Sequence, residues 1–159
     1  MTLSAWRITK QKYARSAFGG AGARIYGGRW NSPGTAMIYT AQSQSLAVLE
    51  MLVHLDSPDL LRKYVLFPVS IDVSFDPSYL IDLSFATLPR NWKADPVPAR
   101  VQAIGDDWIA AGASAVLRVP SALVPGDSNF LLNPRHPDFG KVRIGKPIPF
   151  QYDPRLGRR

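Results

Sequence analysis

The apolar residues of this chain fall mostly into short runs separated by proline and glycine, and that pattern limits the fold more than any other feature. Ala5–Ile8, Met37–Thr40, Tyr64–Val73, Ala115–Val119, Phe130–Leu132, Val142–Ile144 and Ile148–Tyr152 read as strands, with Tyr79–Leu83 a weaker one. Pro68 marks its run as an edge strand or the site of a bulge. Only two stretches repeat apolar residues at helical spacing, one following a cap at Ser43 or Ser45 and one from about Ala99 to Ala111. In the second, Val101, Ile104, Trp108 and Ala111 form the apolar face and Gly112 is the stop. Strands outnumber helices and the two do not alternate, so the fold class is α+β rather than doubly wound. The 159 residues suit one domain over 1–159, with a basic, frayed tail from about residue 153.

Several classes drop out at once. No run approaches the ~18 apolar residues of a membrane helix. The chain has no Cys, which removes disulfides, cysteine nucleophiles and thiolate metal sites. Met1–Gly20 carries no apolar secretory core, so a cytoplasmic location is the expected default.

Charge is distributed unevenly. The net charge is +7, which favours polyanionic or phosphate-bearing partners. Arg7, Lys10, Lys12, Arg15, Arg24 and Arg29 precede any acid; the first acid is Glu50, the only glutamate. On the first predicted helix Leu46, Leu49 and Val53 form a stripe, and Glu50 falls at its edge. Surface helices normally place carboxylates opposite the apolar face. Glu50 is therefore expected to point inward or into a cleft rim, either as a functional carboxylate or in a salt bridge to an upstream arginine.

Other candidates are graded by chemistry. Phe18–Asn31 holds five glycines, enough for backbone to approach an anion closely, but no βαβ unit surrounds it as a dinucleotide fingerprint requires. Arg29, between Gly28 and Trp30, either grips a phosphate or is a surface charge beside a core tryptophan. Tyr39 faces opposite to Ile38 by alternation, as core or as part of a site. Asp106 and Asp107 read as a solvated helix face. The two histidines, His54 and His136, are far apart and no metal-ligand set is evident, although His54 lies one turn after Glu50. No nucleophile elbow supports Ser/His/Asp catalysis. The turn-rich run from Val119 to Phe139 is poor in Lys and Glu and reads as a site-lining loop.

Together, Gly27–Asn31 (GGRWN), Tyr39-Thr-Ala, Leu46–Glu50 (LAVLE), Val119–Ala122 (VPSA) and Asn129–Phe139 (NFLLNPRHPDF) resemble the RES-domain toxins of bacterial toxin–antitoxin modules, from about Trp6 to Phe150. The resemblance implies an ADP-ribosyltransferase-like α+β fold with a curved, split β core, flanking helices and an NAD-binding cleft. It implies destruction of NAD+, the substrate rather than a cofactor, by a glycohydrolase or phosphorylase. It carries the catalytic roles onto Arg29, Tyr39 and Glu50. It also carries substrate-binding roles onto Arg7, Ser121 and Asn129, with Ser128 the alternative for the family serine. The implied partner is an Xre-like antitoxin that blocks the cleft and supplies the DNA binding; no membrane is involved, and homodimerisation stays open. Val48 stands where many protein-modifying members of the wider fold carry a second carboxylate, which favours a small acceptor. Two other readings stand beside this one: a protein ADP-ribosyltransferase, and a non-enzymatic module that binds nucleic acid or an acidic protein.

Overall fold

Two nine-residue strands, β1 (Thr2–Lys10) and β3 (Tyr64–Asp72), pair antiparallel from end to end, Thr2 opposite Asp72 and Lys10 opposite Tyr64. They anchor a computed structural model that describes residues 1–74 and 76–157. The remaining strands are β2 (Ile38–Ala41), β4 (Leu80–Asp82), β5 (Val116–Pro120), β6 (Ser128–Leu132), β7 (Arg143–Ile144) and β8 (Ile148–Phe150). Among the described residues they form one curled mixed sheet in the order β4-β5-β6-β2-β1-β3-β7, with β8 also on β3. Only β4 and β5 run parallel, and the connection between them contains α3 (Ala99–Ala111). Two further helices, α1 (Ala21–Tyr26) and α2 (Gln44–Leu52), complete the α+β architecture.

β3 is not an edge strand, contrary to the reading from Pro68. It is flanked by β1 on one side and by β7 and β8 on the other. Pro68 sits where the partner changes from β7 to β8, so its missing N–H breaks no ladder bond on that side. Its carbonyl still accepts from Gly145 N at 2.8 Å.

Residue parity along the strands divides the core. Ile38, Phe130 and Leu132 pack on one face with Ala5, Val69 and Val116. The opposite face carries α2, against Ile8, Ala41 and Leu66, and α3, against Met37, Leu117 and Leu131. Met37, immediately before β2, and Ala41 point to the same face by alternation, so both helices lie on the same side of the sheet. Between them β1 and β2 pair at one position only, Trp6 opposite Ala41. The sheet is split there, and the split forms part of the cleft floor.

Helix faces differ from the periodicity reading. In α2 the buried residues are Leu46, Ala47 and Leu52, whereas Leu49 and Val53 are exposed. Glu50 therefore projects between Leu46 and Ala47 on the inner face, not at its edge. Ser43 caps α2, its Oγ accepting from Leu46 N at 3.1 Å. In α3 Val101 and Trp108 are buried as expected, but Ala111 is exposed and Gly105 takes its place inside. Gly112 ends α3 at φ 58°, the left-handed stop. The tail is more ordered than expected: Pro154–Gly157 forms a 3-10 turn against the one at Ser57–Leu61. Arg158 and Arg159 lie outside the described residues. No described helix is long and apolar enough to cross a membrane.

Candidate active site

The glycine-rich segment is held by tertiary bonds rather than by helix propensity. α1 has six residues, too few to persist alone. It begins after Gly20 (φ 75°) and ends at Gly27 (φ 73°), positions where a side chain would strain the backbone. Fully buried Asn31 stitches the segment together, its Nδ2 donating to the carbonyls of Ala23 (2.8 Å), Thr35 (3.0 Å) and Ser32 (3.2 Å). α3 clamps it from the other side. Gln102 Nε2 donates to the Gly28 carbonyl at 3.0 Å, and Asp106 accepts from Ser32 N at 3.0 Å and from the Ser32 hydroxyl. Asp106 is thus a tether, not the solvated residue expected; Asp107 is exposed. Gln102 and Gly105 were not singled out from sequence, Asn31 only as the last residue of the GGRWN motif, and Asp106 only as a solvated residue. The one local signal was a glycine on the inner face of a helix.

Tyr39 joins this segment to β2. Its hydroxyl accepts from Trp30 N at 3.1 Å and donates to Asn31 Oδ1 at 2.6 Å. Burial pushes the phenol well above its ordinary pKa, so it stays a donor. Gly28 packs so closely that a Cβ there would lie 2.6 Å from the Tyr39 hydroxyl.

The two arginines have different settings. Arg7 spans the split, its Nε donating to Ala17 O at 2.6 Å and its Nη1 to Tyr39 O at 2.9 Å. Burial lowers its pKa to about 10, leaving it charged at neutral pH. No carboxylate pairs with it among the described residues. Arg29 donates through Nη1 to the carbonyls of Trp92 (2.7 Å) and Ala94 (3.1 Å), tying the proline-rich 89–98 segment to the site. Trp30 is core, with its ring 5.9 Å from that of Trp92.

Glu50 is held by neutral donors. Its Oε1 accepts from Ser121 Oγ at 3.0 Å and from Asn129 Nδ2 at 2.8 Å. Among the described residues no arginine pairs with it, which removes the salt-bridge alternative. Oε2 has no protein donor among them. Ser121 is buried, and its hydroxyl also accepts from Leu123 N and Val124 N, both at 3.1 Å. It lies on Glu50 rather than on the cleft surface. Ser128 makes backbone bonds to Gln42 at the start of β6 and no bond to Glu50. Asn129 Oδ1 is buried without a partner among the described residues.

Arg7, Arg29, Tyr39, Glu50 and Asn129 all line one cleft of about 560 Å³, within the usual range of small-molecule sites. Trp6, Ile8 and Ala41 supply its apolar floor, while α2 and the 22–30 segment form its walls. Glu50 is its one described carboxylate. His54 also lines it, and no three His, Cys, Asp or Glu among the described residues group as metal ligands.

Fold and cleft together define a class: a small α+β protein that presents one fixed carboxylate and two arginines to a single cleft of small-molecule size. Within that class the chain belongs to the RES-domain family, whose model matches residues 4–153. It is 43% identical to a protein of Yersinia enterocolitica named Toxin Res, over 95% of this chain and 97% of that one. It is 38% identical to one from Sphingobium sp. named Prs ADP-ribosylating toxin, over 100% and 99% of the two chains. Its fold is similar to that of a chain in the M. tuberculosis MbcT–MbcA toxin–antitoxin complex, with TM-score 0.75, 21% identity and coverage of 99% of this chain and 88% of that one.

Proposed function

We propose that this chain is the toxin of a toxin–antitoxin pair and that it cleaves the bond between nicotinamide and ribose in NAD+. One observation carries the reading: Glu50, the only described carboxylate in the cleft, is immobilised by Ser121 and Asn129 with one oxygen left free. When the C1′–N bond of NAD+ breaks, its electron pair moves onto the nicotinamide ring, which leaves neutral. Positive charge develops on the ribose. No protein nucleophile is needed; a fixed carboxylate beside the ribose stabilises that charge without reorganising.

The other residues fit the rest of the substrate. Arg7, charged and without a carboxylate, suits the diphosphate, with Arg29 beside the same opening. Tyr39 contributes its ring, because its hydroxyl is already committed to Trp30 and Asn31. Asn129 lines the same cleft and, through its Nδ2, holds Glu50 in place beside the ribose. Ser121 acts through Glu50 as a positioning residue. NAD+ is the substrate, and no resident cofactor or metal enters the reaction.

The acceptor for the ribose is water, inorganic phosphate or a protein side chain. The name of the Sphingobium relative favours a protein acceptor, whereas Val48, in place of a second carboxylate, favours a small one. The partner is an antitoxin, as MbcA is to MbcT in the M. tuberculosis complex, and in this reading it covers the cleft and brings any operator DNA binding. Incubating purified chain with NAD+, with and without phosphate, and identifying the products tests the reading. ADP-ribose signifies water, ADP-ribose-1″-phosphate signifies phosphate, and label retained on protein signifies a side chain. Absence of all three from folded, antitoxin-free protein overturns it.

A further inference from the structure

Tyr26 is the most exposed large hydrophobic side chain described, at 83%, and yet it lines the cleft. It closes α1, immediately before Gly27 and Gly28. The backbone beneath it is fixed by Gly27 N donating to Ala23 O at 2.8 Å and by Asn31 Nδ2 bonding the same carbonyl. An aromatic ring on so rigid a support leaves apolar area in water until something covers it. Gly22 and Ala23, four and three residues earlier, share its helix face and also line the cleft. A Cβ built on Gly22 meets nothing within 4 Å, so an open slot lies beside the ring.

We infer that Tyr26 and the slot beside it bind the adenine base of the substrate. This rests on the NAD+-cleaving reading and adds which end of the dinucleotide lies where. The bond that breaks belongs beside Glu50, in the part of the cleft shielded by α2 and β6, because water competes with the protein's dipoles at the reacting carbon. The most exposed aromatic in the cleft is suited instead to the distal base. A flat, weakly polar purine stacks on a phenol ring without needing a hydrogen bond. Arg7 and Arg29, in the same cleft, remain for the diphosphate that joins the two ends. Tyr26 is therefore a substrate-binding residue that selects dinucleotides over nicotinamide mononucleotide, which has no adenine.

The test compares Tyr26→Ala, Tyr26→Trp and Gly22→Leu with the parent chain. Gly22 has room for a side chain and is not held at positive φ, so Gly22→Leu fills the slot without disturbing the fold. Steady-state NAD+ cleavage gives KM and kcat, and inhibition of that cleavage by nicotinamide mononucleotide gives its Ki. The expected result is a KM for NAD+ raised roughly 5- to 150-fold in Tyr26→Ala and Gly22→Leu, the span of base–aromatic stacking. In both, kcat and the Ki of the mononucleotide stay within about twofold of the parent, and Tyr26→Trp restores the KM. An unchanged KM in Tyr26→Ala, or a mononucleotide Ki that rises in parallel with the KM, overturns the inference and leaves NAD+ cleavage standing. A parent chain that neither consumes NAD+ nor, as Glu50→Gln, binds it by calorimetry overturns both.

Discussion

Replacing Gly105, which does not itself line the cleft, by alanine tests how the site is built. A Cβ at Gly105 would lie 1.8 Å from the Trp30 carbonyl oxygen, 2.8 Å from its carbon and 2.9 Å from Met37 Cε. Two of these neighbours are backbone atoms, so no rotamer relieves the overlap. The 27–35 segment and α3 must separate by roughly 1.5 Å to restore ordinary contact. That separation breaks the bonds that join them, from Gln102 to Gly28 O and from Ser32 to Asp106. Overpacking costs ~1–3 kcal/mol. Loss of the charge-assisted Ser32–Asp106 contact adds ~1.5–3 kcal/mol. The intrinsic helix preference of alanine over glycine returns ~1 kcal/mol. The expected net loss is about 3 kcal/mol, a Tm lower by roughly 6–12 °C for a domain of this size. Thermal unfolding followed by circular dichroism, with urea titration for ΔG, measures it. Gly140→Ala is the control, because a Cβ there meets nothing within 4 Å and its φ is not positive. A Gly105→Ala protein as stable as that control would refute the claim that α3 braces the arginine-bearing segment.

Three further substitutions separate the roles of the cleft residues. Ser121→Ala and Asn129→Ala each remove a hydrogen bond to the Glu50 carboxylate, of a kind worth ~1.5–3 kcal/mol, and should lower kcat about tenfold or more. Ser121→Ala should leave the KM for NAD+ nearly unchanged, since Ser121 lies behind Glu50; a large KM effect with normal kcat would contradict a positioning role. Tyr39→Phe leaves Trp30 N and Asn31 Oδ1 unpaired and should cost ~1–3 kcal/mol in urea unfolding, while kcat falls less than the roughly hundredfold loss of a charge-stabilising group. Arg29→Ala frees the carbonyls of Trp92 and Ala94, so it should raise KM and speed tryptic cleavage at Arg90 and Lys93, read by mass spectrometry.

What sequence alone revealed depended on whether the signal was local. The α+β class followed from short apolar runs, and the cap at Ser43 or Ser45 and the stop at Gly112 from residue chemistry within one turn. Glu50 stood out because a lone carboxylate on an apolar helix face is costly to bury. Its setting could not be read. Ser121 and Asn129 reach it from other elements, 71 and 79 residues away in the chain, and Ser128 stood as the alternative to Ser121. The face of α2 was misjudged for a related reason: Leu49 and Val53 are apolar but exposed, and only the position of β1 tells which stripe faces in. α1 was invisible because its glycine-rich sequence has low helix propensity and its order comes from Asn31. Asp106 looked like half of a solvated pair because its partner, Ser32, lies 74 residues earlier.

Glu50→Gln is the most direct test of the central claim. The amide keeps the size of the side chain, and rotated so that its oxygen meets Ser121 and Asn129 it keeps both bonds. Only the negative charge is lost. The measurement is the rate of NAD+ loss by the purified chain and by Glu50→Gln, with matched circular dichroism spectra. The account predicts NAD+ consumption by the parent and a kcat at least roughly a hundredfold lower in the variant, the usual cost of removing one charge-stabilising group. A variant that consumes NAD+ at the parent rate would show that the fixed carboxylate is not what drives the reaction.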